Sequence, residues 1–90
     1  MNRQILYDRY PNEDIVFLAG NLYDDAILGV ARDDNVLRII YSEAMLIEIL
    51  SADMSYMDAV EYYGFNIAGS YLGPGTPIYM EDLLDDLDFN

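Results

Sequence analysis

Ninety residues are enough for one domain with one modest core, and an apolar share of 53% argues against a disordered chain. There is no Cys, so no disulfide staples the fold and no thiolate serves as nucleophile or metal ligand. Seventeen acidic residues against four basic ones give a formal charge of −13, which disfavours direct binding to nucleic acid or an anionic membrane and favours a basic protein partner.

The charge is unevenly placed. The cations are Arg3, Arg9, Arg32 and Arg38, with no Lys and no His, and nothing basic follows Arg38. Beyond that point stand Glu43, Glu48, Asp53, Asp58, Glu61, Glu81, Asp82, Asp85, Asp86 and Asp88. Solubility is the plain explanation of so much negative charge. It does not account for a complete lack of Lys. The N-terminal residues carry no apolar run of signal-peptide length, and no stretch approaches the roughly 18 apolar residues of a membrane helix. A cytosolic protein is the expectation.

Residues 1–13 read as an extended arm that turns at Tyr10-Pro11-Asn12. The run Asp14-Ile15-Val16-Phe17-Leu18-Ala19 reads as a short strand closed by Gly20-Asn21. Ala26–Ala31 and Val36–Tyr41 are two further β-rich runs, and Arg32-Asp33-Asp34-Asn35 between them predicts a hairpin. The period then changes. Ser42 can cap a helix, Glu43 suits its positive end, and Glu43–Leu50 is apolar on most sides. Ser55 with Asp58 three residues on is a second capping pair. In the helix that follows, Met57, Val60 and Tyr63 are expected inward, with Asp58, Glu61 and Tyr62 outward. Gly64 ends or kinks it, and Phe65–Leu72 suggests a further short helical stretch. Gly73-Pro74-Gly75-Thr76-Pro77 is a firm loop, Ile78-Tyr79-Met80 a short edge strand, and residues 81–90 an acidic, flexible tail. The expected fold is a single α+β domain: a small antiparallel sheet of three to four strands with two to three helices packed on one face.

The chemistry of catalysis is missing. His, Lys and Cys, the usual groups for acid–base work near neutrality, are all absent. Ser42, Ser51, Ser55, Ser70 and Thr76 have no evident base to activate them. Two carboxylates can hydrolyse a glycoside, but nothing singles out one pair. The loop at 73–77 lacks the Gly-Lys-Ser/Thr ending of a phosphate loop, and its prolines remove backbone donors. Neither Asp33-Asp34-Asn35 nor Asp82-Asp85-Asp86-Asp88 has the alternating acids and central Gly of a calcium loop. No enzyme activity, no metal and no cofactor is expected.

Three features can bind. Acids three or four apart on a helix lie about 5–6 Å from one another, a spacing comparable to phosphates along a nucleic-acid strand. Glu43, Glu48, Asp58 and Glu61 can therefore mimic DNA in the groove of another protein, the plainer alternative being a solvated face. Nine Tyr without Trp form the second feature, with Tyr62 and Tyr71 the residues expected exposed; Tyr brings a large apolar body and a polar tip to interfaces. The third is the tail, where Leu83, Leu84 and Leu87 sit at helical spacing among Asp82, Asp85 and Asp86. The residues expected to meet a partner are thus Glu43, Glu48, Asp58, Glu61, Tyr62, Tyr71, Asp82, Asp85 and Asp86.

The segments Asp24-Asp25-Ala26-Ile27-Leu28-Gly29-Val30, Arg38-Ile39-Ile40-Tyr41-Ser42, Ile47-Glu48-Ile49-Leu50 and Asp58-Ala59-Val60-Glu61-Tyr62 continue into Phe65-Asn66-Ile67-Ala68-Gly69-Ser70-Tyr71-Leu72-Gly73 and Thr76-Pro77-Ile78. In this order they resemble a group of short hypothetical proteins encoded by tailed bacteriophages. The resemblance spans about residues 14–79, its most specific part being the Phe-Asn…Gly…Thr-Pro stretch, and the acidic tail after Met80 departs from it. It implies a phage product working in a bacterial cytoplasm. By analogy with other small acidic phage proteins, it implies an inhibitor of host or defence machinery, such as an anti-CRISPR or a restriction-enzyme inhibitor. The other reading is a regulatory or assembly factor that binds a protein through its Tyr-rich surface. No functional residue is carried over from the group.

Overall fold

A computed structural model describes residues 1–83. The chain forms α1 (Arg3–Arg9), a 3₁₀ turn (Asp24–Ala26), β1 (Ile27–Asp33), β2 (Val36–Ser42), α2 (Glu43–Leu50), α3 (Tyr56–Tyr62), a π-helical turn (Tyr63–Ala68) and β3 (Ile78–Met80). This is an α+β fold with a three-stranded sheet in the order β1-β2-β3.

The hairpin forms where its sequence places it. Asp34 and Asn35 take φ of 50° and 67°, the left-handed region that a two-residue hairpin turn of the primed type needs and that Asp and Asn tolerate. β1 and β2 run antiparallel, with Asp33 opposite Val36 and Ile27 opposite Tyr41, and a bulge between Ile27 and Gly29. Along β2 the period of two buries Leu37, Ile39 and Tyr41, and Ser42 after them. Ser42 then caps α2: its Oγ accepts from the Met45 N–H at 3.1 Å. Ser55 does the same for α3, accepting from the Asp58 N–H at 3.1 Å. The helix α2 buries Leu46, Ile47 and Leu50 against the sheet.

Four expectations are corrected. The sheet is mixed, because β3 joins β2 in parallel, pairing Ile40 with Ile78 and Ser42 with Met80. A parallel neighbour needs a crossover, and α2, α3 and the π turn supply it. Residues 1–13 are not an extended arm. The Asn2 side chain caps α1 by accepting from the Gln4 N–H at 2.8 Å, Gln4 Nε2 donates to Asp8 Oδ1 one turn on, and Leu6 is buried. Pro11 cannot continue that helix. Residues 14–19 form no strand and add to neither edge of the sheet. The segment is held by side chains instead. The Leu18 N–H donates to the Tyr41 hydroxyl at 3.0 Å, and Phe17 lies under Arg3 and beside Tyr7. Val16 approaches Gly75 so closely that a Cβ there would lie 3.1 Å from its Cγ2. The fourth correction concerns which side of α3 faces inward, and is described with the site.

Arg3 ties the N-terminal layer to the rest. Its guanidinium donates to both carboxylate oxygens of Asp24 at 2.7 and 2.8 Å and to the Gly20 carbonyl, while its Cζ sits 4.2 Å over the Phe17 ring. The free amine of Met1 donates to the Asp24 carbonyl at 2.9 Å. At the other end of the molecule, Arg38 Nε donates to the Thr76 carbonyl at 2.6 Å and fixes the 73–77 loop against β2.

A tyrosine cluster fills the space between the sheet and the helices. Tyr41 stacks on Tyr79 at 6.2 Å, and Tyr79 meets Tyr63 edge-on at 5.9 Å. Burial and then Tyr41 push the Tyr79 hydroxyl up to about 12, and that hydroxyl has no hydrogen-bond partner among the described residues. Burial raises Tyr41 too, partly offset by the Leu18 N–H. A tyrosine whose pKa is raised on folding contributes stability in full below its unfolded value, and loses it as pH rises through the folded one. Stability is therefore expected to fall between pH 10 and about 12, followed by chemical denaturation at stepped pH. Tyr79→Phe should blunt that fall and, by removing an unpaired buried hydroxyl, raise stability near neutrality by about 1 kcal/mol. Tyr41→Phe should do the opposite near neutrality: it strands the Leu18 N–H and costs about 1–3 kcal/mol.

Candidate functional site

Among the described residues, no group of three or more acidic side chains is placed to hold a metal ion, and no helix is long and apolar enough to cross a membrane. The features that stand out lie on α3 and the turn after it.

The helix α3 turns a different side inward from the one its hydrophobicity suggests. Ala59 is 0% exposed, Tyr63 and Ile67 are buried, and these three stand four residues apart. Met57, expected in the core, is 70% exposed, and Val60 is exposed as well. Only Tyr63 of the expected inward trio is buried. The physical reason is phase. Residues at 57, 60 and 63 drift around an α-helix, whereas 59, 63 and 67 keep one line when the last turn widens from α to π. The small Ala59 side chain lets the backbone come close to the core. Apolar character favoured Met and Val over Ala; spacing decided otherwise.

With that face inward, Asp58, Glu61 and Tyr62 are exposed, as their positions predict. Together with Met54, Phe65 and Asn66 they line an open concavity of about 420 Å³. Phe65 is 82% exposed, an unusual setting for a Phe. Its exposure follows from the inward placing of Tyr63, since a residue two positions on along a helical turn lies on the opposite side.

The other expected residues are distributed around the molecule. Glu48 is exposed and borders a second concavity, about 300 Å³, with Ala44, Ile47, Ser51 and Tyr56. Glu43 is half-buried and accepts from the Tyr63 hydroxyl at 3.1 Å. Burial first, then this bond and the negative charge of Glu43, raise the Tyr63 pKa well above the ordinary tyrosine range. Tyr71 is exposed, in the segment leading to the 73–77 loop. Asp82 has a structural partner: it accepts from Ser42 Oγ at 2.7 Å and from the Ala44 N–H at 3.4 Å, adding a second acceptor at the N-terminus of α2. Asp85 and Asp86, with most of the acidic tail, lie outside the described residues. The acids of α2 and α3 thus do not form one continuous strip. Asp58 and Glu61 share a concavity with two aromatic rings, while Glu48 stands at another and Glu43 is engaged from within.

The assignment of faces on α3 has a direct check. Ala59→Leu should cost about 1–3 kcal/mol by overpacking. Met57→Gln should stay within about 0.5 kcal/mol. Urea midpoints of the two variants measure both; the reverse order would mean that Met57 faces the core.

No family model matches this chain, and neither the curated proteins nor the solved structures contain one significantly similar to it.

Proposed function

We propose that the chain is a non-catalytic binding protein, a phage product that acts in the bacterial cytoplasm by blocking a basic, nucleic-acid-handling defence protein such as a CRISPR effector or a restriction enzyme. The observation that carries this reading is the grouping of Asp58, Glu61 and Tyr62 with Phe65 around one open concavity, lined by no basic residue. Three of the four arginines are occupied elsewhere, Arg3 with Asp24, Arg32 with Glu13 and Arg38 with Asp33. The negative face of α3 is met by no cation of its own chain in these pairs, and a positively charged surface would supply what is missing. The absence of His, Lys and Cys supports a role without catalysis. The phage assignment rests on the sequence resemblance.

A second reading has its own support. Tyr56, Phe65 and Tyr71 are all well exposed, and an aromatic surface of this kind suits a regulatory or assembly factor that binds through apolar contact. Salt separates the two readings. A charge-led complex weakens steeply from low to moderate ionic strength; an aromatic one does not.

Affinity capture from infected cells tests the first reading. Recovery of a nucleic-acid enzyme is the expected result, and recovery of virion components alone would count against it. With the partner in hand, Asp58→Lys combined with Glu61→Lys should leave the fold intact, both sites being exposed, at a stability loss of about 1 kcal/mol because Asp58 sits in the first turn of α3. Binding should fall at least about tenfold, because each attraction becomes a repulsion. Unchanged affinity in a folded double variant would remove this face from the mechanism.

A further inference from the structure

We infer that the concavity on α3 and the π turn is a seat for an arginine side chain presented by a basic protein partner. The inference rests on the binding reading above and gives it a specific ligand chemistry: a planar guanidinium, in preference to the ammonium of lysine.

The lining supplies both things a guanidinium uses. Asp58 and Glu61 bring carboxylates for its in-plane N–H donors, and Tyr62 and Phe65 bring aromatic rings of the kind its flat surface stacks on. The spacing couples them. Tyr62 follows Asp58 by four residues and Phe65 follows Glu61 by four, so each carboxylate has a ring one turn further along the same side. Met54 and Asn66 complete the wall with a soft apolar group and an amide oxygen. The two acids stand three residues apart, a mutually unfavourable pair on a helix that a bound cation relieves.

The molecule uses this same combination on its own arginines. Arg3 is held by Asp24 at 2.7 Å while its Cζ lies 4.2 Å over the Phe17 ring. Arg32 is held by Glu13 at 2.8 Å with its Cζ 6.0 Å from the centre of the Tyr10 ring. In both places a carboxylate pairs with the guanidinium and an aromatic ring lies within cation–π reach of it. The concavity on α3 presents the same two residue classes to solvent, without an arginine among its lining residues. Lysine fits less well, since a compact and strongly hydrated ammonium gains from the carboxylates but little from the exposed ring of Phe65.

The test is an NMR titration of ¹⁵N-labelled full chain with two capped peptides of equal length and charge, one alternating Gly with Arg and the other Gly with Lys, at one ionic strength. The expected result is tighter binding of the Arg peptide by roughly threefold, with the largest amide shifts at Asp58, Glu61, Tyr62, Phe65 and Asn66. Phe65→Ala, at a site 82% exposed, should keep the melting temperature and abolish the preference while leaving Lys-peptide affinity nearly unchanged. Equal affinity for the two peptides would overturn the seat while leaving a charge-led surface, and with it the proposed function, intact. Shifts centred on Glu48 and Tyr56 would overturn its placement. Failure of both peptides to bind would overturn the seat, with partner capture then deciding the function separately.

Discussion

Tyr41 is where the layers of this molecule meet. It ends the buried alternation of β2, has no exposed surface, and immediately precedes the residue that caps α2. Its hydroxyl takes the Leu18 N–H, so a segment with no place in the sheet is still bonded to it. Its ring stacks on Tyr79 of β3, which in turn touches Tyr63 at the start of the π turn. One side chain thus connects the N-terminal segment, two strands and the helical layer. In a chain with no disulfide and a modest core, such a junction matters more than it would in a larger protein.

The electrostatics divide along the chain. The arginines stand in the first half, and three of the four serve internal tasks: Arg3 fastens the N-terminal helix to Asp24, Arg32 reaches Glu13, and Arg38 anchors the 73–77 loop. The acids of α2 and α3 receive no such partners. Glu43 is satisfied by a tyrosine hydroxyl and Asp82 by a serine, which leaves Asp58, Glu61 and Glu48 turned to solvent beside exposed aromatic rings. Charge that contributes little to folding has been concentrated where the apolar surface is also uncovered. Mere solubility explains the first of these facts but not the second.

What the sequence revealed was mostly local. The Asp-Asn turn, the Ser42 and Ser55 caps and the 73–77 loop are each decided by a few adjacent residues, and each stands where the pattern put it. The first helix was equally local and carried its own signal, the Asn2 cap and the Gln4–Asp8 pair, masked by the Tyr, Asp and Pro around it. The failures are of another kind. Residues 14–19 have strand composition, yet they are held by contacts with Tyr41, Arg3 and Tyr7, all remote in sequence from one another or from the segment. The direction of β3 is set by the crossover, which no short window contains. The inward face of α3 runs through Ala59, Tyr63 and Ile67, across a turn that widens from α to π, and the exposure of Phe65 follows from it. Asp82 carries no local sign of its role, because its partner, Ser42, is remote in sequence.

The parallel pairing of β3 with β2 also orders events in time. The hairpin needs only neighbouring residues and can close in microseconds. The third strand cannot join until residues 43–77 have traced their route back to the sheet, and a contact of that separation forms slowly because its loop entropy comes first. The capping oxygen of Asp82 lies just beyond that strand and depends on the same return. Without β3, one edge of β2 is open and the ring of Tyr41 lacks its stacking partner. An open edge of that kind is a template for pairing with another chain.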